Sequence, residues 1–174
     1  MYTFTRSFLL ISTMLTGCGT LYGPFGPYAK PAPEIYEQWK MAGATPLDIK
    51  KALLECGEPA PTRSTFIYEK ALGKSGQDDL LDYFFQVALC MERSGFTVPG
   101  SKTTKEYCSW DRHRHLLACQ PDTVFPERSV ERRLNSWYCK IKTDREYCRK
   151  HAFTPSACDD PKKDYNDPPP ECLP

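Results

Sequence analysis

The sequence predicts an all-α domain: small, helical, stapled by about four disulfides, with an extended tether ahead of it and a proline-rich tail behind. Three observations carry that expectation. Apolar residues recur at three- and four-residue spacing in segments that begin with capping residues and end at glycine. Nine cysteines are present, and eight of them lie beyond residue 18, an even set suited to pairing. Both flanks are rich in Pro and lack any apolar period.

The chain starts with a single charge, Arg6, followed by an uncharged stretch from Ser7 to Gly17 that carries Phe8, Leu9, Leu10, Ile11, Met14 and Leu15. That is the basic start and apolar middle of a secretory signal. It falls short of the roughly 20 apolar residues that cross a bilayer. Leu15-Thr16-Gly17-Cys18 resembles the lipobox of bacterial lipoproteins: a branched apolar residue, two small residues, then a cysteine. The resemblance implies that residues 1–17 are a signal peptide removed before Cys18. A diacylglyceryl group on the Cys18 sulfur and further acylation of the new amino group would then anchor the chain. One acyl chain holds a protein to a membrane only marginally, whereas two or more hold it firmly. Gly19 follows, not the aspartate that marks inner-membrane retention in that family, which implies a Gram-negative outer membrane. The alternative is an ordinary cleaved signal that happens to precede a cysteine.

Removing the signal takes away Arg6 and no acid, leaving 22 basic and 22 acidic residues. A near-neutral chain has no single-sign field to recruit nucleic acid. With Cys18 assigned to lipid, the remaining eight are Cys56, Cys90, Cys108, Cys119, Cys139, Cys148, Cys158 and Cys172. An even set in an exported chain reads as four disulfides. The rival reading is zinc on Cys108, His113, His115 and Cys119, without a CxxC to support it.

Residues 18–33 read as a lipidated tether rich in Gly, Pro and Tyr, about 45 Å long if extended as polyproline. Two regions are expected after it, a helical subdomain at 34–100 and a Cys-rich helical repeat region with the proline-rich tail at 101–174. A first helix is expected from Glu34 to Ala42, stopping at Gly43. A second follows Thr45-Pro46-Leu47-Asp48, with a threonine N-cap and proline at the first helical position, and ends at Gly57. A third, about Asp78 to Ser94, aligns Leu80, Tyr83, Phe84, Val87, Cys90 and Met91. Cys56 and Cys90 therefore sit on apolar faces and are expected to bond. Trp39, Gly43, "ALLECG" and "CMERSGF" together resemble a group of small, uncharacterised Gram-negative lipoproteins, from which no activity carries over.

A repeat follows, "TTKEYCSWDRHRHLLAC" from Thr103 and "TDREYCRKHAFTPSAC" from Thr143. Thr103 with Glu106, and Thr143 with Glu146, have capping-box spacing. Between the copies Val130, Leu134, Trp137 and Ile141 form one helical stripe after Ser129. An unbroken helix over 104–118 would separate Cys108 from Cys119 by about 16 Å, beyond the reach of a bridge. On that basis a helical hairpin would pair Cys108 with Cys148 and Cys119 with Cys139, leaving Cys158 for Cys172. The repeat itself favours Cys108–Cys119 and Cys148–Cys158. The hairpin is the preferred of the two sets.

Catalytic signatures are missing: no GxSxG, HExxH, phosphate-binding glycine loop or CxxCH occurs. Asp111 and His113, two residues apart, do not face each other on a helix, and the run "DRHRH" is expected in solvent. Arg112, His113, Arg114, His115 and the run Glu131-Arg132-Arg133 form either a patch for an acidic partner or a solvated face, the latter preferred because acids are interspersed. The expected function is a lipid-anchored envelope protein that binds a protein partner as a structural accessory, with the membrane as its other contact and no catalytic residue, metal or cofactor. The alternative is an enzyme or enzyme inhibitor acting on envelope polymers.

Overall fold

A computed structural model of the chain describes residues 32–62, 73, 76–125 and 127–174; residues 1–17, expected as a signal peptide, Cys18, and the expected tether as far as Pro31 lie outside them. Pro33–Pro174 forms one compact unit. The chain is helical and carries four disulfides; among the described residues there is no strand, only one isolated antiparallel bridge between Lys40 and Thr97.

Helix α1 (Ile35–Gln38) is shorter than expected. Trp39 leaves the helix at φ −87°, ψ 144°, and Lys40 exchanges backbone hydrogen bonds with Thr97 at 2.7 and 2.8 Å. This turn places the Trp39 side chain in the core beside Phe96, which is fully buried. Helix α2 (Pro46–Cys56) begins as expected: Thr45 and Asp48 cap each other reciprocally, and Pro46 occupies the first turn. It ends at Gly57, whose φ of +105° is a left-handed geometry that disfavours any side chain. Ala52, Leu53, Leu54, Glu55 and Cys56 are all buried, so the end of α2 is covered on every side. It is the central helix of the unit.

Helix α3 (Gln77–Arg93) crosses α2, and Val87, Cys90 and Met91 complete the main core with Ile49, Ala52 and Leu53. Cys56 and Cys90 are bonded, as their apolar faces require. The stripe of α3 is rotated from expectation: Phe84 is 39% exposed, while Asp82 is buried. Asp82 faces inward because the segment that follows packs on it.

In that segment the expected long helix is broken. Helix α4 (Thr104–Cys108) keeps its Thr103–Glu106 capping box, but Trp110 turns extended (ψ 134°) and two single 3₁₀ turns follow at Asp111–His113 and Leu117–Cys119. The reversal brings the Cα atoms of Cys108 and Cys119 to 5.2 Å, and they are bonded. Cys148 pairs with Cys158 and Cys139 with Cys172. The hairpin pairing is therefore overturned, since its premise, an unbroken 104–118 helix, fails. The repeat-based pairing holds for both copies.

The expected stripe after Ser129 is two helices, α5 (Val130–Leu134) and α6 (Trp137–Thr143), split where Ser136 accepts a hydrogen bond from the Cys139 amide and caps α6. Val130 is half exposed, not core. Helix α7 (Arg145–His151) is capped by Asp144, not by a Thr143–Glu146 box, because Thr143 is still the last residue of α6 and its hydroxyl donates to the Cys139 carbonyl. The tail ends in a 3₁₀ turn at Pro170–Cys172 packed on α2 and α6.

Candidate functional site

Two carboxylates on α3 mount the segment 104–119. Glu92 accepts from the amide and hydroxyl of Thr104 at 2.8 and 3.0 Å. Asp82 accepts from the Ala118 amide at 2.6 Å. The Cys108–Cys119 bond closes the loop between these two anchors. Inside it, His113 donates from Nδ1 to the Tyr107 carbonyl (2.9 Å), stacks on Trp110 and meets Phe85 edge-on. The Gln120 amide donates to the Arg114 carbonyl at 2.6 Å, and the Thr123 hydroxyl to the Leu117 carbonyl at 2.6 Å. A loop braced in this way keeps little conformational freedom of its own.

Beside the loop runs a groove of about 340 Å³ with Trp39, Phe84, Phe85, Val98 and Tyr107 along it and Lys102 at its rim. Lys102 and Arg112 both approach the Trp110 ring, at 5.9 and 4.5 Å from its centroid. Several of the nearby acids are already engaged. Asp78 pairs with His115 at 3.3 Å and Asp111 with Arg114 at 3.2 Å, while Glu106 caps α4 and Asp82 and Glu92 hold the loop. The Thr103 amide holds the Glu106 carboxyl below the usual carboxylate range. Leu117, 65% exposed, projects from the loop, and Val124 follows it at 92%.

The residues expected to matter divide as follows. Cys18 lies outside the described residues. The eight other cysteines are consumed by four bonds. Cys108 and Cys119 are bonded to each other, so the zinc set does not exist as thiolates. His113, expected in solvent, is buried among aromatic rings. Arg112, Arg114 and His115 are exposed, but Arg132 and Arg133 turn inward. Arg132 donates to the Glu55 carbonyl; Arg133, 2% exposed, pairs with the Glu55 carboxylate at 3.0 Å. Those two cations thus leave the expected patch because they neutralise and satisfy Glu55.

Asp82, Glu92 and Glu55 were missed by sequence reasoning. Only Glu55 left a signal, as the single charge inside the otherwise apolar "ALLEC". Among the described residues no group of three His, Cys, Asp or Glu side chains is arranged for a metal, and no helix is long and apolar enough to cross a membrane. No family model matches the sequence, and no match to it was found among curated proteins or solved structures.

Proposed function

We propose that this protein is a lipid-anchored envelope protein of a Gram-negative bacterium, held to the outer membrane through Cys18, and that it acts by binding a protein partner. The pairing of the other eight cysteines supports the anchor, because it leaves Cys18 as the one cysteine with no mate to claim. Four bonds are also what an oxidising compartment permits. The observation that carries the binding reading is the braced loop, which exposes Leu117 and the Arg112–Trp110–Lys102 cluster beside an aromatic groove. With Leu117, Arg112 and Lys102 exposed side by side, the fitting partner is a protein segment that brings an apolar side chain flanked by carboxylates.

The test crosslinks intact cells and compares what copurifies with three forms: the native chain, Cys18→Ala, and the doubly changed loop Arg112→Glu with Leu117→Ser. One dominant envelope protein that is lost with the loop variant supports the reading. Membrane retention of Cys18→Ala would refute the anchor, and capture unaffected by the loop changes would refute the site. If the captured protein is a hydrolase whose activity the loop blocks, the partner reading becomes that of an enzyme inhibitor.

A further inference from the structure

Three of the four disulfides are built into apolar clusters. Cys56 and Cys90 belong to the main core, Cys139 and Cys172 pack with Leu54, and Cys148 and Cys158 pack with Ile141. All six of those cysteines are buried, and Lys163 Nζ lies against the Cys148 sulfur at 3.5 Å. Cys108 and Cys119 differ, for both are half-buried and neither joins a cluster. Exchange with an external thiol needs access to a sulfur, so exposed bonds are the labile ones.

The place of this bond along the chain decides what its opening does. Trp110, Arg112 and Leu117 all lie between its two cysteines. With the bond open, the segment is held to α3 by the hydrogen bonds of Glu92 and Asp82 and by the edge of the His113 ring on Phe85. Each of those contacts is far weaker than a covalent tie. They still keep Cys108 and Cys119 within reach of each other, so the bond can close again. No core residue has to move in either direction.

We propose that Cys108–Cys119 is a reversible redox switch of the 104–119 loop: a dithiol reductant opens this bond before the other three, and opening frees the residues between the two cysteines while the core stays folded. One thiolate of the reductant attacks a loop sulfur and forms a mixed disulfide, and the other loop sulfur leaves as a thiolate that takes a proton from water. The second thiol of the reductant then loses its proton and attacks its own mixed-disulfide sulfur, which releases the remaining loop thiol. Two electrons have passed to the loop bond, and the dithiol has become a disulfide. The consequence for binding rests on the loop being the partner's site: a freed patch must be ordered again on contact, which weakens binding.

The test treats the full chain with graded dithiothreitol in the absence of denaturant, blocks free thiols with iodoacetamide and maps the label by peptide mass. Cys108 and Cys119 are expected to take label about tenfold faster than any of the other six, and to lose it when glutathione disulfide is added before blocking. At that stage hydrogen exchange should quicken between Cys108 and Ala118 and hold in α2. Equal labelling of Cys148 and Cys158, unchanged exchange in the loop, or quickened exchange in α2 overturns the proposal. Cys108→Ser with Cys119→Ser fixes the open state; it should fold and repeat that exchange pattern, and failure to fold overturns the proposal too. The same variant should capture the partner about tenfold less well. If Arg112→Glu with Leu117→Ser leaves capture unchanged, the site reading fails, and labelling and exchange still decide the switch. With the site upheld, full capture by the serine variant overturns the switch.

Discussion

Arg133 and Glu55 form an ion pair almost wholly withdrawn from water, with side chains 2% and 8% exposed and Nε 3.0 Å from Oε1. The pair is the centre of a larger clamp. Arg128 takes the second Glu55 oxygen at 2.7 Å, and the Arg133 guanidinium also donates to the carbonyls of Glu171 and Leu173. The central helix, α5 and the C-terminal turn are thus tied at one point.

Removing one partner of a buried pair strands the other, at a cost of about 3–5 kcal/mol. Arg133→Ala is accordingly expected to lower stability by that amount in urea titration, and Arg133→Met combined with Glu55→Leu to restore much of it. A loss below about 1 kcal/mol in the single variant, the range of an exposed pair, would show that the clamp does not bear on folding.

The disulfides differ in the length of chain they close. Cys56–Cys90 and Cys139–Cys172 span 34 and 33 residues, against 11 and 10 for the other two. Loop-closure entropy predicts about 1 kcal/mol more stabilisation from each long bridge than from each short one. Pairwise Cys→Ser variants compared by denaturation check that order. Peptide mapping without reduction is expected to recover these four pairs.

The loop anchors can be tested separately. Asp82→Ala removes the acceptor of a buried amide at Ala118 and should cost about 1–3 kcal/mol. Hydrogen exchange at Ala118 should quicken while exchange in α2 holds. Uniform quickening of both would mean that Asp82 supports the whole fold instead of mounting the loop.

Stability should fall at both ends of the pH scale. The Thr45 hydroxyl, the Thr103 amide and the Arg145 guanidinium hold the carboxyls of Asp48, Glu106 and Asp159, respectively, below their usual range. Folded values below unfolded ones mean that this stabilisation is present above about pH 4 and is lost as pH falls through the folded values. Tyr83 behaves oppositely: burial, then the neighbouring Glu58, pushes its phenol up. Its contribution is complete below about pH 10 and declines above it, as the unfolded chain ionises first. Burial and Glu171 push the Tyr138 phenol up too, so with urea midpoints measured across pH, Tyr83→Phe should make the alkaline arm shallower and leave the acid arm unchanged.

What was legible in the sequence was local. Thr45, Pro46 and Gly57 mark the ends of α2 through backbone chemistry that needs no distant partner, and Cys56 and Cys90 declared their bond by lying on apolar stripes. The 104–118 segment misled because its charges match a solvated helix, whereas Trp110 leaves the helix and stacks on His113. Arg133 and Glu55 lie 78 positions apart, and no periodicity in either segment announces the other. The 104–119 loop shares that fate, since its mounts on Asp82 and Glu92 are tertiary.

The order of the cysteines along the chain has a consequence for biogenesis. Three of the bonds join neighbours in that order, and only Cys139–Cys172 spans another pair. An oxidase that joins thiols as they emerge, N-terminus first, makes Cys56–Cys90 and Cys108–Cys119 correctly, then links Cys139 to Cys148 and leaves Cys158 for Cys172. Both late links must be exchanged before the tail can seat on α2, and exchange of this kind takes seconds to hours without an isomerase. In an oxidising compartment that forms these bonds during synthesis, maturation of the last third of the chain would therefore be the step at which isomerase capacity sets the yield.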